Sequence, residues 1–276
     1  MQTVEKPCAK VNITLAVGEK RPDGYHQVTS VMQRVSLHDV LTVTRTESGV
    51  ALTCTDPSLP SGPENLACRA AALFFRETGL SGGVSMALEK HIPSQAGLGG
   101  GSSDAASVLL ALRRLYAPAL PDEALETMAA ALGSDVPFFI RGGTQLATGR
   151  GEVLSPLPPL QGGWFVIVKP PESFSTPEMY RRLDALPVAS PPPLPPLQSG
   201  LPALAAGLFN SFECAVPAGS DIWAIKSRLL ECGALAALLS GSGSAVFGLF
   251  SDPAAADEAA RSLRAVWPET FTARPV

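Results

Sequence analysis

A glycine-rich stretch, PSQAGLGGGSSDAA at residues 93–106, contains the residue types most typical of a phosphate-binding loop. Glycines let backbone N–H groups approach an anion closely, and the first turn of a following helix offers further unsatisfied N–H donors. Ser102 and Ser103 add hydroxyl donors. The stretch lacks the Gly-Lys-Ser/Thr of a Walker A loop, and its glycine spacing ends at Ser102, where the Rossmann fingerprint needs glycine. Taken alone, the stretch favours phosphate binding over a structural turn by roughly two to one.

Three further motifs contain side chains suited to acid–base and charge chemistry. Lys10 lies in the motif PCAKVN at residues 7–12, Tyr25 and His26 close the motif RPDGYH, and Asp135 lies in GSDVPFF. A carboxylate can take a proton from an alcohol, and an ammonium can balance the charge of a phosphate. Without further information, a solvated strand lysine and a turn or helix-cap aspartate are the more ordinary interpretations.

The elements that must position these side chains can be read from the hydrophobic periodicity. Apolar and other residues alternate over residues 10–17, which predicts a half-buried strand with Lys10 and Asn12 on the face opposite the core. A short strand at 84–88 leads into the glycine-rich stretch, and a helix follows that ends near Pro118. Further strands are predicted at 40–44 and 50–55, and further helices at 64–78 and 121–132.

The remainder of the chain predicts a compact α+β lobe. After a short apolar strand at 164–168, the proline-rich segment at 187–202, with SPPPLPPL at its centre, indicates an extended linker or surface loop. A helix from about residue 221, two strands separated by the glycine loop at 240–244, and a final helix then follow in the order α–β–β–α. We therefore predict two lobes, at residues 1–155 and 156–276.

Composition excludes several classes of protein. The 276 residues are 46% hydrophobic and 17% charged, which argues against disorder, and a net charge of −4 argues against nucleic acid as the main partner. Five cysteines without a CxxC pair predict reduced thiols rather than disulfides or a zinc site. The first residues lack the apolar segment of a signal peptide, and no stretch predicts a membrane helix. We therefore expect a cytoplasmic protein with no membrane partner.

Taken together, these motifs resemble those of the GHMP kinase superfamily. Its three short motifs appear here in the same order, as PCAKVN, GLGGGSSDAA and SGSGSAVFGLF. The motifs RPDGYH, GSDVPFF, ATGRGE and NSFE are similar to those of superfamily members that phosphorylate a cytidine-diphosphate-linked sugar alcohol in isoprenoid precursor synthesis. The resemblance extends over nearly the whole chain. The chain departs from the family at Cys8, where the family usually has proline, and in the proline-rich segment.

The resemblance implies an α+β fold of two lobes, the C-terminal one ferredoxin-like, and a reaction that uses ATP and Mg²⁺. Asp135 matches the general base of the family, and Lys10 matches its catalytic lysine. The implied substrate-binding residues are Asn12, Tyr25, His26, Tyr180 and Arg181, with His26 hydrogen-bonded to cytosine and Tyr180 stacked on it. The implied ATP-binding residues are Asn65 and Pro93, Ser94, Gln95, Ala96, Gly97, Leu98, Gly99, Gly100, Gly101, Ser102 and Ser103. The magnesium ligand stays open between a loop serine and Asp104.

Three alternatives remain open at this point. A related kinase acting on homoserine or a mevalonate-pathway substrate would share the fold, but Tyr25 and His26 would then have no cytosine to bind. A nucleotide-binding protein without catalysis is disfavoured, because both Lys10 and Asp135 are present. An interaction protein that docks through SPPPLPPL is the third alternative, although proline runs are more often spacers. A homodimer is compatible with the sequence as well.

Overall fold

The computed structural model describes residues 1–187 and 192–276. In chain order its strands and helices are β1 (Gln2–Glu5), β2 (Cys8–Lys20), β3 (His26–His38), β4 (Val40–Thr46), β5 (Gly49–Cys54), α1 (Leu66–Thr78), β6 (Gly83–Glu89), α2 (Gly100–Tyr116), α3 (Asp122–Leu132), α4 (Val136–Arg141), β7 (Thr144–Thr148), β8 (Val153–Pro156), β9 (Trp164–Val168), α5 (Thr176–Asp184), α6 (Leu201–Ala206), β10 (Phe209–Asn210), α7 (Asp221–Glu231), β11 (Ala236–Leu239), β12 (Val246–Phe250), α8 (Pro253–Arg264) and β13 (Thr270–Ala273). A short 3₁₀ helix, Ser211–Ala215, follows β10. The α+β class predicted from the sequence is confirmed.

The chain divides into two compact units, and each is assembled from separate stretches of sequence. The first unit comprises Met1–Ala9, His38–Ser94 and Gly99–Gly142, and the second comprises Lys10–Leu37, Gln95–Leu98 and Gly143–Val276. The glycine-rich stretch therefore contributes residues to both units. The two lobes predicted at 1–155 and 156–276 stay a prediction.

The first unit combines a four-stranded sheet with four helices. The sheet has the strand order β1-β4-β6-β5, in which β4 pairs antiparallel with β1 and β6, and β5 pairs parallel with β6. Helix α2 packs against α1, α3 and α4 and against strands β1 and β4. Its apolar face is buried as the periodicity predicts, because Ala105, Val108, Leu109 and Leu112 are all fully inaccessible to solvent.

The second unit contains two sheets. The first sheet has the order β10-β2-β3-β7-β8 and includes the strand that carries Lys10. The second has the order β11-β12-β9-β13, and its three strand pairs are all antiparallel. Helix α7 packs on β11 and β12, and helix α8 packs on β9, β12 and β13. The succession β9–α7–β11–β12–α8–β13 in this strand order is the ferredoxin-like arrangement that the resemblance implies.

The structure corrects the burial expected for strand β2. The alternating pattern predicts one core face and one exposed face, yet every residue from 9 to 17 is buried. The polar face can also be buried, because Lys10, Asn12 and Thr14 on that face form hydrogen bonds within the protein. A polar residue at alternate positions therefore indicates a buried polar network here and not a solvated surface.

Several further elements were not predicted from the sequence. The missed elements are β1, β3, α4, β7, β8, α5, α6, β10 and β13. The proline-rich segment at 187–202 was predicted to be a loop. Residues 192–200 agree with this prediction, since they form no helix or strand, whereas α6 begins at Leu201. Residues 188–191 of that segment lie outside the described part of the chain.

Two features are absent from the described residues. Within residues 1–187 and 192–276, no helix is both long and apolar enough to cross a membrane. The described cysteines form no disulfide, in agreement with the reduced thiols predicted from their spacing.

Candidate active site

Lys10 is a buried lysine held in a chain of hydrogen bonds. Only 4% of its surface is exposed, and its Nζ donates to Asn12 Oδ1 at 2.6 Å. Asn12 Nδ2 donates to Ser30 Oγ on β3 at 2.8 Å, and that hydroxyl donates to the Thr14 carbonyl at 2.6 Å. Residues 10, 12 and 14 share one face of β2 because successive side chains of a strand alternate. The interpretation of Lys10 as a solvated strand lysine is therefore wrong.

The part of the glycine-rich stretch in the second unit lies beside Lys10. The Lys10 backbone N–H donates to the Leu98 carbonyl at 2.9 Å. Gly97 has a φ of +73°, and a Cβ added there would lie 2.1 Å from the Ser240 carbonyl oxygen, so this close approach requires glycine. A Cβ on Gly241 would lie 3.3 Å from Lys10 Nζ. The second unit thus brings together Lys10, residues 97–98 of the glycine-rich stretch and the loop after β11.

The loop after β11 is held in place by side chains that approach it from several directions. Asn210 Nδ2 donates to the carbonyls of Leu239 and Gly241, at 2.8 and 2.9 Å. The hydroxyl of Ser240 donates to the Gly97 carbonyl at 3.1 Å, and the hydroxyls of Thr176 and Ser242 are 2.9 Å apart. Asn210 belongs to the motif NSFE, and this contact gives the motif a structural role that the sequence did not reveal.

Asp135 lies at the start of helix α4 in the first unit. It occupies the N-cap position, but its side chain makes no capping hydrogen bond with the helix. The ordinary interpretation of this residue as a helix cap therefore loses its main support, since capping side chains bond to the N–H groups of the first turn. Asp135 belongs to the first unit and Lys10 to the second.

The last glycines of the stretch form the first turn of α2. Gly99 is the N-cap of the helix, with a φ of +73°, and Gly100 and Gly101 are already helical. A Cβ on Gly101 would meet nothing within 4 Å. Ser102 is half-buried and Ser103 is buried with 2% of its surface exposed. The first turn of α2 has backbone N–H groups without intrahelical partners, as phosphate binding requires.

A buried group of three charged side chains supports this end of α2 from within the first unit. Lys90 Nζ donates to Asp39 Oδ2 and, at 2.9 Å, to Asp104 Oδ2. Asp39 Oδ1 accepts from the backbone N–H groups of His91 and Ile92, at 2.5 and 2.8 Å. This group, Asp39, Lys90 and Asp104, ties the strand end that precedes Pro93 to the helix that follows the glycines.

Burial governs the protonation of this group. It raises the pKa of Asp104 to about 7, against the opposing effect of the Lys90 charge. For Lys90, burial alone would lower the pKa, but the neighbouring Asp104 and Asp39 raise it instead. Asp104 Oδ1 is buried and has no hydrogen-bond partner among the described residues. Burial therefore favours the neutral form of Asp104, and the Lys90 ammonium opposes it.

A second cluster surrounds His26 in the second unit. The His26 ring stacks on Tyr180 of α5, with the ring centroids 5.0 Å apart and an interplanar angle of 18°. Tyr180 in turn makes an edge contact with Phe212. His26 Nε2 lies 2.7 Å from Asp184 Oδ1 at the end of α5. The structure therefore brings two of the predicted substrate-binding residues together and adds Asp184, which sequence reasoning missed.

Tyr25 and Arg181 are exposed. The Tyr25 side chain has 54% of its surface accessible, and the guanidinium of Arg150 lies 4.8 Å from its ring centroid. Arg181 pairs with Glu178 on the same helix. An exposed aromatic ring can stack on a base, so the substrate-binding role of Tyr25 stays a prediction, as does that of Arg181.

Asn65 and Ser94 make internal contacts in the first unit. Asn65 Oδ1 accepts from the Ala67 N–H at 2.9 Å and so caps α1, while its Nδ2 donates to the Pro60 carbonyl at 2.8 Å. Ser94 Oγ donates to Asp56 Oδ2 at 3.1 Å. Hydrogen bonds from Ser58, more than that from Ser94, lower the pKa of Asp56. Contacts of Asn65 and Ser94 with ATP stay predictions.

The donor atoms near the glycines are compatible with Mg²⁺ held mainly by a nucleotide. Among the residues that the structure describes, no three His, Cys, Asp or Glu side chains cluster as a metal site. Mg²⁺ usually binds one or two protein groups together with substrate phosphates and waters, so such a cluster is not needed. Asp104 is committed to Lys90, whereas the Ser102 hydroxyl is partly exposed. Of the two predicted kinds of ligand, a loop serine such as Ser102 fits better than Asp104.

Family comparisons define the class of this protein. Residues 65–143 match the model for the N-terminal domain of GHMP kinases, and residues 197–269 match that for the C-terminal domain. The chain belongs to the GHMP kinase family and is a small-molecule kinase.

Individual relatives and solved structures show which kinases the chain is similar to. The chain is 42% identical to 4-diphosphocytidyl-2-C-methyl-D-erythritol kinase of Moorella thermoacetica over 274 residues, which is 96% of each chain. It is similar, with a TM-score of 0.86 and 40% identity, to a crystal structure of 4-(cytidine 5'-diphospho)-2C-methyl-D-erythritol kinase, covering 99% of this chain and 98% of that one. Mevalonate kinase of L. major shares the fold, with a TM-score of 0.75 at 18% identity, over 99% of this chain and 96% of that one.

Proposed function

We propose that this chain transfers the γ-phosphoryl group of ATP to the 2-hydroxyl of 4-diphosphocytidyl-2-C-methyl-D-erythritol, a step of the non-mevalonate isoprenoid pathway. Identity of about 40% over almost the full length of two kinases with this substrate supports the proposal. The structural observation that carries the proposal is the buried Lys10, which lies beside Gly97 of the glycine-rich stretch and Gly241 of the loop after β11. Cytoplasmic localisation belongs to the same proposal.

Asp135 would act as the general base. It takes the proton of the acceptor hydroxyl as the oxygen attacks the γ-phosphorus and the bond to the bridging oxygen of ADP breaks. Asp135 occupies the N-cap of α4 without a side-chain capping bond. The products are the phosphorylated acceptor and ADP, with the proton initially on Asp135.

Lys10 would stabilise the negative charge that develops on the transferring group. Its hydrogen bond to Asn12 and the surrounding burial hold the ammonium in one position, so little reorganisation is needed during the reaction. The backbone N–H groups at Gly97 to Gly101 and the Ser102 and Ser103 hydroxyls would bind the phosphates of ATP. When bound, Mg²⁺ would neutralise phosphate charge, with Ser102 as its protein ligand.

His26 and Tyr180 would bind the cytosine, together with Tyr25. His26 is fixed by ring stacking and by a hydrogen bond, so it presents one edge in a defined direction. An acceptor without a nucleobase would leave this cluster unused. That difference separates the proposed substrate from homoserine and mevalonate, whose kinases share the fold.

The decisive experiment is a phosphoryl-transfer assay with ATP, Mg²⁺ and one of three acceptors. We expect ADP release with the cytidylylated methylerythritol, and none above background with homoserine or mevalonate. Phosphorus NMR of the product should show the new monoester at the 2-position. Turnover of homoserine or mevalonate, with none of the cytidylylated substrate, would contradict the proposal.

A further inference from the structure

The hydrogen bond between His26 and Asp184 has a defined direction. His26 Nε2 and Asp184 Oδ1 are 2.7 Å apart, and Lys20 Nζ lies 3.8 Å from the other oxygen of Asp184. A carboxylate beside an ammonium can only accept hydrogen bonds. The proton in the contact therefore belongs to His26 Nε2.

Protonation of Nε2 determines the character of the other ring nitrogen. A neutral imidazole carries one N–H, so His26 Nδ1 has a lone pair and acts as an acceptor. Among the described residues, no donor forms a hydrogen bond with Nδ1. The stack on Tyr180, at an interplanar angle of 18°, restricts rotation of the ring and so sets the direction of that lone pair.

An acceptor at this position distinguishes between pyrimidines. The cytosine of a nucleotide has a single donor group on its base edge, the exocyclic amine at C4, whereas uracil has a carbonyl oxygen there. A lone pair on Nδ1 can bond to that amine and is repelled by the carbonyl oxygen. A ring proton on Nδ1 would reverse the preference.

We propose that Asp184 is a positioning residue that makes the site specific for cytosine over uracil by holding His26 in the Nε2–H tautomer. This inference rests on the proposed function, because it requires that His26 contacts the base. Asp184 acts through His26 and need not touch the substrate. The cavity of about 220 Å³ lined by His26, Asp184, Lys20 and Leu183 shows that space adjoins this pair.

The tautomer can be measured without any substrate. We would record nitrogen-15 NMR spectra of the full chain labelled at histidine, at about pH 8, well above the reference pKa of histidine, with His26→Gln used for assignment. We expect His26 to show a protonated Nε2 and an unprotonated Nδ1 in the wild type. An Nδ1–H tautomer in the wild type would overturn the inference, whatever any variant does.

Asp184→Asn is the informative variant, because it keeps the size of the side chain but adds a donor. The amide can donate to Nε2, so the Nδ1–H tautomer becomes accessible and the NMR signals should shift toward it. We would measure kcat/KM for the cytidylyl acceptor and for its uridylyl analogue. We expect the wild type to prefer cytidylyl by more than about 100-fold and Asp184→Asn to reduce this ratio about tenfold or more.

Asp257→Asn serves as the matched control, since it makes the same substitution on the exposed face of α8. The control should keep both the tautomer and the ratio. If Asp184→Asn left the ratio of cytidylyl to uridylyl kcat/KM unchanged, or lowered both kcat/KM values equally, the role of Asp184 in specificity would be overturned. If the wild type phosphorylates neither acceptor, the proposed function is wrong and the role in base selection is wrong with it. The NMR result would still decide the tautomer.

Discussion

Replacement of Lys90 by methionine should destabilise the first unit strongly, and the loss should depend on pH. Asp39 and Asp104 have 0% and 4% of their side-chain surface exposed, and Lys90 is their shared counter-charge. Methionine keeps the apolar length of the side chain but leaves the two buried carboxylates without a counter-charge. Removal of one partner from a buried ion pair typically costs about 3–5 kcal/mol.

The pH dependence follows from the protonation of Asp104. Its pKa is already raised from 3.8 to about 7 by burial, and loss of the ammonium raises it further. A carboxyl whose pKa is raised in the folded protein contributes most stability below its unfolded pKa. That contribution is lost as the pH rises through its folded pKa. Relative to the wild type, whose Asp104 pKa is already about 7, this further rise adds only about 1 kcal/mol to the loss at pH 7.5 and almost nothing at pH 5.5.

Urea denaturation of the whole chain, followed by circular dichroism at these two pH values, measures both effects. We expect Lys90→Met to lose about 3–5 kcal/mol at pH 7.5 and clearly less at pH 5.5. The double variant with Asp104→Asn should recover part of the loss at the higher pH. Arg76→Met is the control, because Arg76 pairs with Glu77 on the surface and such pairs contribute at most about 1 kcal/mol. A loss below about 1 kcal/mol at pH 7.5, or an equal loss at both pH values, would refute the reasoning.

Four further outcomes concern the site itself. Asp135→Asn should lower kcat at least ~10²-fold with unchanged unfolding, and an unchanged kcat would remove it as general base. Gly97→Ala should destabilise the protein, because its Cβ would meet the Ser240 carbonyl at 2.1 Å; Gly101→Ala, in open space, should keep stability and raise only the KM for ATP. Asn210→Ala should cost about 1–3 kcal/mol in denaturation, since two buried carbonyls lose their donor. His26→Ala should raise the KM for the acceptor and leave that for ATP intact, and equal loss of both would indicate misfolding.

The sequence predicts the parts of this structure that depend on local patterns. The helix after the glycines was found because Ala105, Val108 and Leu112 recur at helical spacing, and the short motifs identified the family. Lys10, Asn12 and Asp135 could be named as candidates by their motifs, but their roles came from the resemblance. The burial of Lys10 was not predictable, because the loops that approach it, at Leu98 and Gly241, lie far from it along the chain.

The contacts that the sequence missed join residues distant along the chain. Asp39 meets Lys90 across 51 residues, and His26 meets Asp184 across 158. No periodicity links such positions, so a single sequence offers no signal for them. Strand β3 was missed because its buried Ser30 and Gln33 are polar, whereas helix α5 was missed although Ser175 and Glu178 form a capping-box sequence at its start.

The interleaved composition of the two units has a consequence for how the chain folds. Strand β2 lies early in the sequence, yet its neighbour β10 follows about 190 residues later, and the Val17 N–H donates to Ser211 Oγ across 194 residues. During synthesis, β2 and β3 must therefore wait with an unpaired edge and uncovered apolar residues until the C-terminal part emerges. Such long-range pairing slows folding and exposes aggregation-prone edges. We expect the nascent chain to depend on chaperones, and low temperature during expression to increase the yield of folded enzyme.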